Sequence, residues 1–200
     1  MRVIVVGATG TIGKAVAKLL SAEHEVVKVA SKSGDIRADI TSKESLHKLF
    51  KEVGPFDALI CAAGVARFAP LTELSDADFQ LGLDSKLMGQ VNLVRVALNH
   101  IKDQGSITLT SGVLSQQPMP GSSSISMINA GIEGFVRAAA LEMPRGIRIN
   151  VVSPPWVKET LLALGMDTSL GIPAERVAEA YRSSISGARS GIVINARDFA

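Results

Sequence analysis

Short β-branched runs alternate with stretches of helical periodicity along the whole chain. Arg2 to Val6 (RVIVV) is almost wholly apolar and ends on glycines, the pattern of a strand covered on both faces. Residues 13–23 carry apolar side chains at helical spacing. Val26 to Ala30 predicts a second strand and Ile36 to Ile40 a short third. In Thr41-Ser42-Lys43-Glu44 a hydroxyl can accept an otherwise unpaired amide, so a capped helix is expected to run to about Lys51. Asp57 to Ala62 (DALICA) predicts the next strand, and residues 76–101 a long helical region interrupted near Asp84. Ser106 to Thr110 predicts a strand, and 124–143 a helix stopped by Pro144 and Gly146. Ile147 to Val152, a helix over 174–184 and Gly191 to Asn195 complete the alternation. Right-handed crossovers then require a parallel sheet with helices on both faces. The expected fold is α/β, a three-layer α/β/α domain over 1–200 with a central parallel sheet of about seven strands.

Composition narrows the possible functions. A chain of 200 residues with 46% hydrophobic side chains is long and apolar enough for one well-formed core. The formal net charge is +2 with no basic block, which argues against nucleic acid as a partner. Cys61 is the single cysteine, so neither an internal disulfide nor a multi-thiolate metal site is expected. His24, His47 and His100 lack metal-ligand spacing, and no metal is predicted. The opening MRVIVVGATG runs into glycines without a secretory h-region, and no apolar stretch reaches a membrane span. A cytoplasmic protein with no membrane partner is expected.

The first chemistry-bearing motif is the turn Gly7-Ala8-Thr9-Gly10-Thr11-Ile12-Gly13, directly after the first strand and opening a helix. Absent side chains let backbone approach a diphosphate, and the helix N-terminus offers amides to its charge. The spacing is GxxGxxG rather than GxGxxG, and a purely structural turn is the competing explanation. After the second strand, an acid would select the ribose of NAD. Here Ser31-Lys32-Ser33 stands at that place, with Asp35 only beyond Gly34. Two hydroxyls and an ammonium suit a 2′-phosphate, so NADP is expected over NAD, with an ordinary solvated lysine as the alternative.

Together these motifs resemble the short-chain dehydrogenase/reductase family over essentially the whole chain. The glycine turn is similar to that family's cofactor turn, in the spacing usual for its extended subfamily. Asp39 with Ile40 resembles the acidic–aliphatic pair that borders the adenine, and Cys61-Ala62-Ala63-Gly64 stands where the family has Asn-Asn-Ala-Gly. Thr110-Ser111-Gly112 ends the fifth strand where the family places its catalytic serine. Ser153-Pro154-Pro155-Trp156-Val157 matches the turn that borders the nicotinamide. The resemblance implies a Rossmann-like NAD(P)-binding domain, with Gly7, Thr9, Gly10, Thr11, Ile12, Gly13, Ser31, Lys32, Ser33, Asp39, Ile40, Ala62, Ala63, Gly64, Asn129, Pro154, Trp156 and Val157 around the cofactor. It also implies a homodimer or homotetramer, to which the small residues Ala130, Gly131, Gly134 and Ala138 are suited.

The match breaks at the catalytic centre. Relatives carry Tyr-x-x-x-Lys at the start of a helix continuing Ala-Ala-Val-x-Gly-Phe. Here Asn129-Ala130-Gly131-Ile132-Glu133-Gly134-Phe135 fits that continuation, which puts Asn129 at the lysine position and Ile125 at the tyrosine position. Tyr181, the only tyrosine, lies in the late helix and is expected to be structural. Where relatives have Asn-x-x-Gly in the preceding helix, this chain has Lys86-Leu87-Met88-Gly89. In relatives those positions face each other across a water-filled path, so Lys86 and Asn129 resemble an exchanged pair; coincidence is the other explanation.

Ser111 and Lys86 are the catalytic candidates, the serine as a partner for a carbonyl oxygen and the lysine as positive charge and proton donor. Leu161, Leu162, Leu164, Met166 and Leu170, with Trp156 and Met119, are expected to form either an apolar wall for a small carbonyl compound or, equally, a docking surface. A nucleotide-binding protein without catalysis, acting through a partner, is the rival function, and a scaffold with a vestigial pocket the third.

Overall fold

Seven strands pair in parallel in the order β3-β2-β1-β4-β5-β6-β7: β1 Arg2–Val6, β2 Glu25–Ala30, β3 Ile36–Arg37, β4 Phe56–Cys61, β5 Ile101–Thr110, β6 Arg148–Ser153 and β7 Val193–Asn195. The computed structural model describes residues 1–199. Successive β1 residues divide between two cores, as the two-residue period of a strand requires. Val3 and Val5 pack under Val16, Leu20, Val177 and Tyr181, on the face covered by α1 (Thr11–Leu20) and the late helix over residues 174–186. Ile4 and Val6 pack with Leu46, Phe50, Leu93 and Ile132 on the face covered by α2 (Lys43–Val53) and the helices of the middle region. The strand order reverses between β1 and β4, and there the carboxyl ends of the strands open a crevice.

Most element boundaries differ from expectation for local reasons. Ser42 caps α2 as expected, its hydroxyl accepting from the Ser45 amide. The third strand stops at Arg37, and Asp39 Oδ1 then accepts from both the amide and the hydroxyl of Thr41 in a tight turn. The long helical region consists of α3 (Asp76–Gly82), a π-helical segment over Leu83–Met88 and α4 (Gly89–Ala97), so the interruption expected near Asp84 is a widening of the helix. Helix does not reach residue 101; Ile101 already pairs with Phe56 at the start of β5, whose register shifts before Ala58. Next comes α5 (Ser123–Ala139), which ends four residues before the expected 143. It is followed by a short α6 (Lys158–Ala163) and by α7 (Ala174–Ser186). No helix among the described residues is long and apolar enough to cross a membrane.

Candidate functional site

Two cavities lie end to end along the carboxyl edge of the sheet and share Ala63 and Gly64. The outer one, about 250 Å³, is lined by Gly7, Thr9, Ser31, Asp39 and Ile40 among others. Gly7 and Ala8 both donate to Val29 O, which ties the glycine turn to β2. Gly7 has φ +84°, and a Cβ there would sit 2.7 Å from the Ala62 carbonyl. At Gly13 a Cβ would run into the Gly7 carbonyl oxygen, so this glycine closes the turn by packing. Gly10 differs: it is exposed, in ordinary extended backbone, and has no side chain to cap α1. The first amides of α1 are thereby left for an anion, and no acidic side chain stands in the helix's first turn. This cradle fits a dinucleotide diphosphate. Lys32 and Ser33 are exposed beside Ser31 but do not line the cavity, and Asp35 is turned away, its carboxylate accepting from the Lys28 amide.

Gly10→Val tests the cradle. A Cβ at Gly10 comes no closer than 3.4 Å to the Gly7 oxygen, so the variant folds, with its Tm moved by less than about 5 °C. Nucleotide affinity measured by calorimetry falls at least about a hundredfold. Retained affinity would make the turn a packing device.

The inner cavity, about 340 Å³, brings together Ile12, Lys86, Ser111, Ile125, Asn129 and Trp156, which are distant in sequence. The π-helical segment is what presents Lys86. Gln90 is fully buried, and its amide donates to Lys86 O (3.1 Å) and Thr110 O (2.9 Å) and accepts from the Thr110 amide (2.9 Å). One side chain therefore pins the widened turn to the end of β5. Gly64, with φ +130°, lets the loop after β4 pass over it; a Cβ there would sit 2.8 Å from Lys86 Cα.

Lys86 Nζ donates to Asn129 Oδ1 at 2.8 Å and to Ser111 O at 3.2 Å. Both partners are neutral. The lysine is half-buried and opens onto the cavity. Desolvation around the ammonium pushes its pKa down to about 8, while Cys61 acts weakly the other way. Lys86 and Asn129 thus face each other directly, without an intervening water path.

Ser111 lines the same cavity, but its hydroxyl donates to Glu133 Oε1 at 3.0 Å. Glu133 was not among the sequence candidates, although its place four residues after Asn129 puts both on one face of α5. The apolar wall is a correction. Leu162, Leu164, Met166 and Leu170 are exposed, Leu161 is the buried residue of α6 itself, and none of them lines the cavity; Met119 is also exposed outside it. Val157 and Ile172 form a bridge that holds the segment closed on itself, so only Trp156, Val157 and Thr160 of this region face inward. Trp156 stands edge-on to Phe68 at 6.0 Å. Tyr181 is fully buried on the opposite face of the sheet, its hydroxyl 2.7 Å from Thr110 Oγ1, and burial raises its pKa: it is structural.

The family model described as enoyl-(acyl carrier protein) reductase matches residues 2–181. Among solved structures, the protein lin1944 from Listeria innocua is 40% identical, with a TM-score of 0.94 and 98% of each chain covered. A small-chain dehydrogenase in complex with NADPH is 29% identical, with a TM-score of 0.87 over 98% of this chain and 95% of that one. The hydroxynaphthalene reductase arp2 of Aspergillus fumigatus is 30% identical over 131 residues, which is 63% of this chain. The chain spans about half of that reductase's length, 48%.

Proposed function

From the premise that this chain belongs to the short-chain dehydrogenase/reductase family, we propose that it is an NADP(H)-preferring oxidoreductase acting on a small, largely apolar carbonyl-type substrate. The observation that carries this is the Lys86 ammonium, held against neutral partners inside the cavity next to the glycine turn. A half-buried cation with no carboxylate partner costs stability, and such groups concentrate where charge is needed for chemistry. NADPH in the related dehydrogenase structure supports the choice of cofactor.

Residues on both cavities would hold the dinucleotide: Gly7, Thr9 and Gly10 at the diphosphate, Asp39 and Ile40 at the adenine end, and Ile12, Asn129, Pro154, Trp156 and Val157 at the nicotinamide end. The bound cofactor supplies or takes up the hydride. Lys86 Nζ, with one N–H beyond those given to Asn129 and Ser111, stabilises negative charge on the substrate oxygen and can yield a proton to it. Asn129 fixes the ammonium, and Trp156 and Ile125 exclude water and leave room for apolar substrate. The same proposal extends to a homodimer or homotetramer in the cytoplasm, with the exposed Ala130, Gly134 and Ala138 of α5 available for close helix contact.

Cofactor choice is tested by nicotinamide fluorescence titration. The parent binds NADPH more tightly than NADH, and Lys32→Glu weakens NADPH about tenfold more than NADH, because like charge is added at the exposed turn after β2. Equal affinities unchanged by the substitution would refute the preference. NADPH oxidation with a panel of small carbonyl compounds, plain and hydroxylated, tests the activity; tight binding without turnover would favour the non-catalytic alternative.

A further inference from the structure

Glu133 is only 2% exposed and lies directly behind Ser111. An ionised carboxylate has no hydrogen to give, so every contact it makes is an acceptance. Oε1 accepts from Ser111 Oγ at 3.0 Å and from Ser115 Oγ at 2.6 Å. Oε2 accepts from Gln116 Nε2 at 3.4 Å and Arg137 at 3.3 Å, and Arg137 supplies the balancing charge. A serine has a single proton, and a charged acceptor holds it more strongly than a neutral carbonyl does. Ser111 is left with acceptor capacity alone toward the cavity. Lys86, whose remaining N–H is free, is the donor there.

We propose that Glu133 sets the polarity of this cavity and so determines specificity: the substrate is an α-hydroxycarbonyl compound, its carbonyl oxygen met by Lys86 and its neighbouring hydroxyl donating to Ser111. Glu133 is a positioning residue, since it acts through Ser111 and does not line the cavity. A plain ketone leaves the Ser111 lone pairs facing a carbonyl oxygen, which is repulsive. The proposal rests on the function proposed above but concerns ligand binding, which needs no turnover.

Calorimetry with 2-hydroxyacetophenone and acetophenone, with and without NADP⁺, on the parent, Glu133→Gln and Ser111→Ala tests it. The parent binds the hydroxyketone at least about tenfold more tightly. In Glu133→Gln the new amide oxygen turns to Arg137, which can only donate, and the amide N–H groups turn to the serines. Ser111 then directs its own proton into the cavity, and the preference disappears or reverses. Ser111→Ala also removes the preference, which keeps the test valid if Glu133→Gln fails to fold. Equal affinities in the parent, no measurable binding of either ligand, or a preference that survives in Glu133→Gln would overturn the proposal. Nucleotide titration of the same samples reads the cofactor proposal separately. Failure to bind NADP⁺ would remove that proposal while leaving the ligand comparison on the free protein intact.

Discussion

Lys86→Met lowers kcat for carbonyl reduction by at least about a hundredfold, the usual cost of removing one charged stabiliser from a developing oxyanion. The substitution keeps the aliphatic stem, so the packing of the π-helical segment against Gly64 persists. Thermal stability changes little. Removing a half-desolvated charge is favourable, and it offsets the loss of a partner for Asn129 Oδ1.

Lys86 should also control the pH profile. With a native pKa of about 8, kcat/KM for reduction falls as pH rises through 8, when the donor loses its proton. Unfolding does not cause the loss. Lys86 has its native pKa depressed from 10.5 to about 8, so between those values the unfolded chain binds more protons and stability rises with pH. Cys61 opposes this only above about 9, since burial holds its thiol up to about 12. A flat profile across pH 8 together with unchanged kcat in Lys86→Met would make the lysine a bystander.

The sheet was legible in the sequence because parallel strands covered on both faces write themselves as unbroken β-branched runs, as in Val3–Val6. The glycine turn was legible because its place after β1 and before α1 is a local property. The juxtaposition of Lys86 and Asn129 was reached through family positions, and the two side chains do meet. Glu133 was not reached. Its burial depends on Ser111, Ser115 and Gln116 arriving from another segment, and no local pattern distinguishes it from a solvated glutamate paired with Arg137 at i+4. Gln90 was missed for the same reason, since its importance comes from Thr110. The leucines after Trp156 misled because apolar composition says nothing of direction, and the Val157–Ile172 bridge turns Leu162, Leu164 and Leu170 outward.

Exchanging the pair back and restoring a phenol should create or raise carbonyl reductase activity by at least about tenfold over the parent, measured as NADPH oxidation with a ketone panel. Lys86→Asn with Asn129→Lys preserves the contact now made at 2.8 Å, with the donor coming from α5 instead of the π-helical segment. Asn129 is 1% exposed and its amide already fills the place a Cβ on Gly112 would need, so the longer lysine side chain must extend into the cavity that residue 129 lines. This double variant should keep NADPH affinity within about threefold of the parent. Ile125→Tyr then adds the missing acid. Residue 125 lies one helical turn before 129 on the same face of α5, and both line the cavity of about 340 Å³. A lysine at 129 lowers the pKa of a nearby phenol by its charge, which moves the phenol toward the range where it can exchange protons at neutral pH. Because the largest chemical gap from the family is the phenol, the gain should come with the third substitution and not with the first two. A triple variant that folds, binds NADPH and stays inert on plain and α-hydroxy ketones alike would show that the cavity lined by Trp156 and Ile12 does not admit such substrates, and the carbonyl-type substrate proposed here would fall with it.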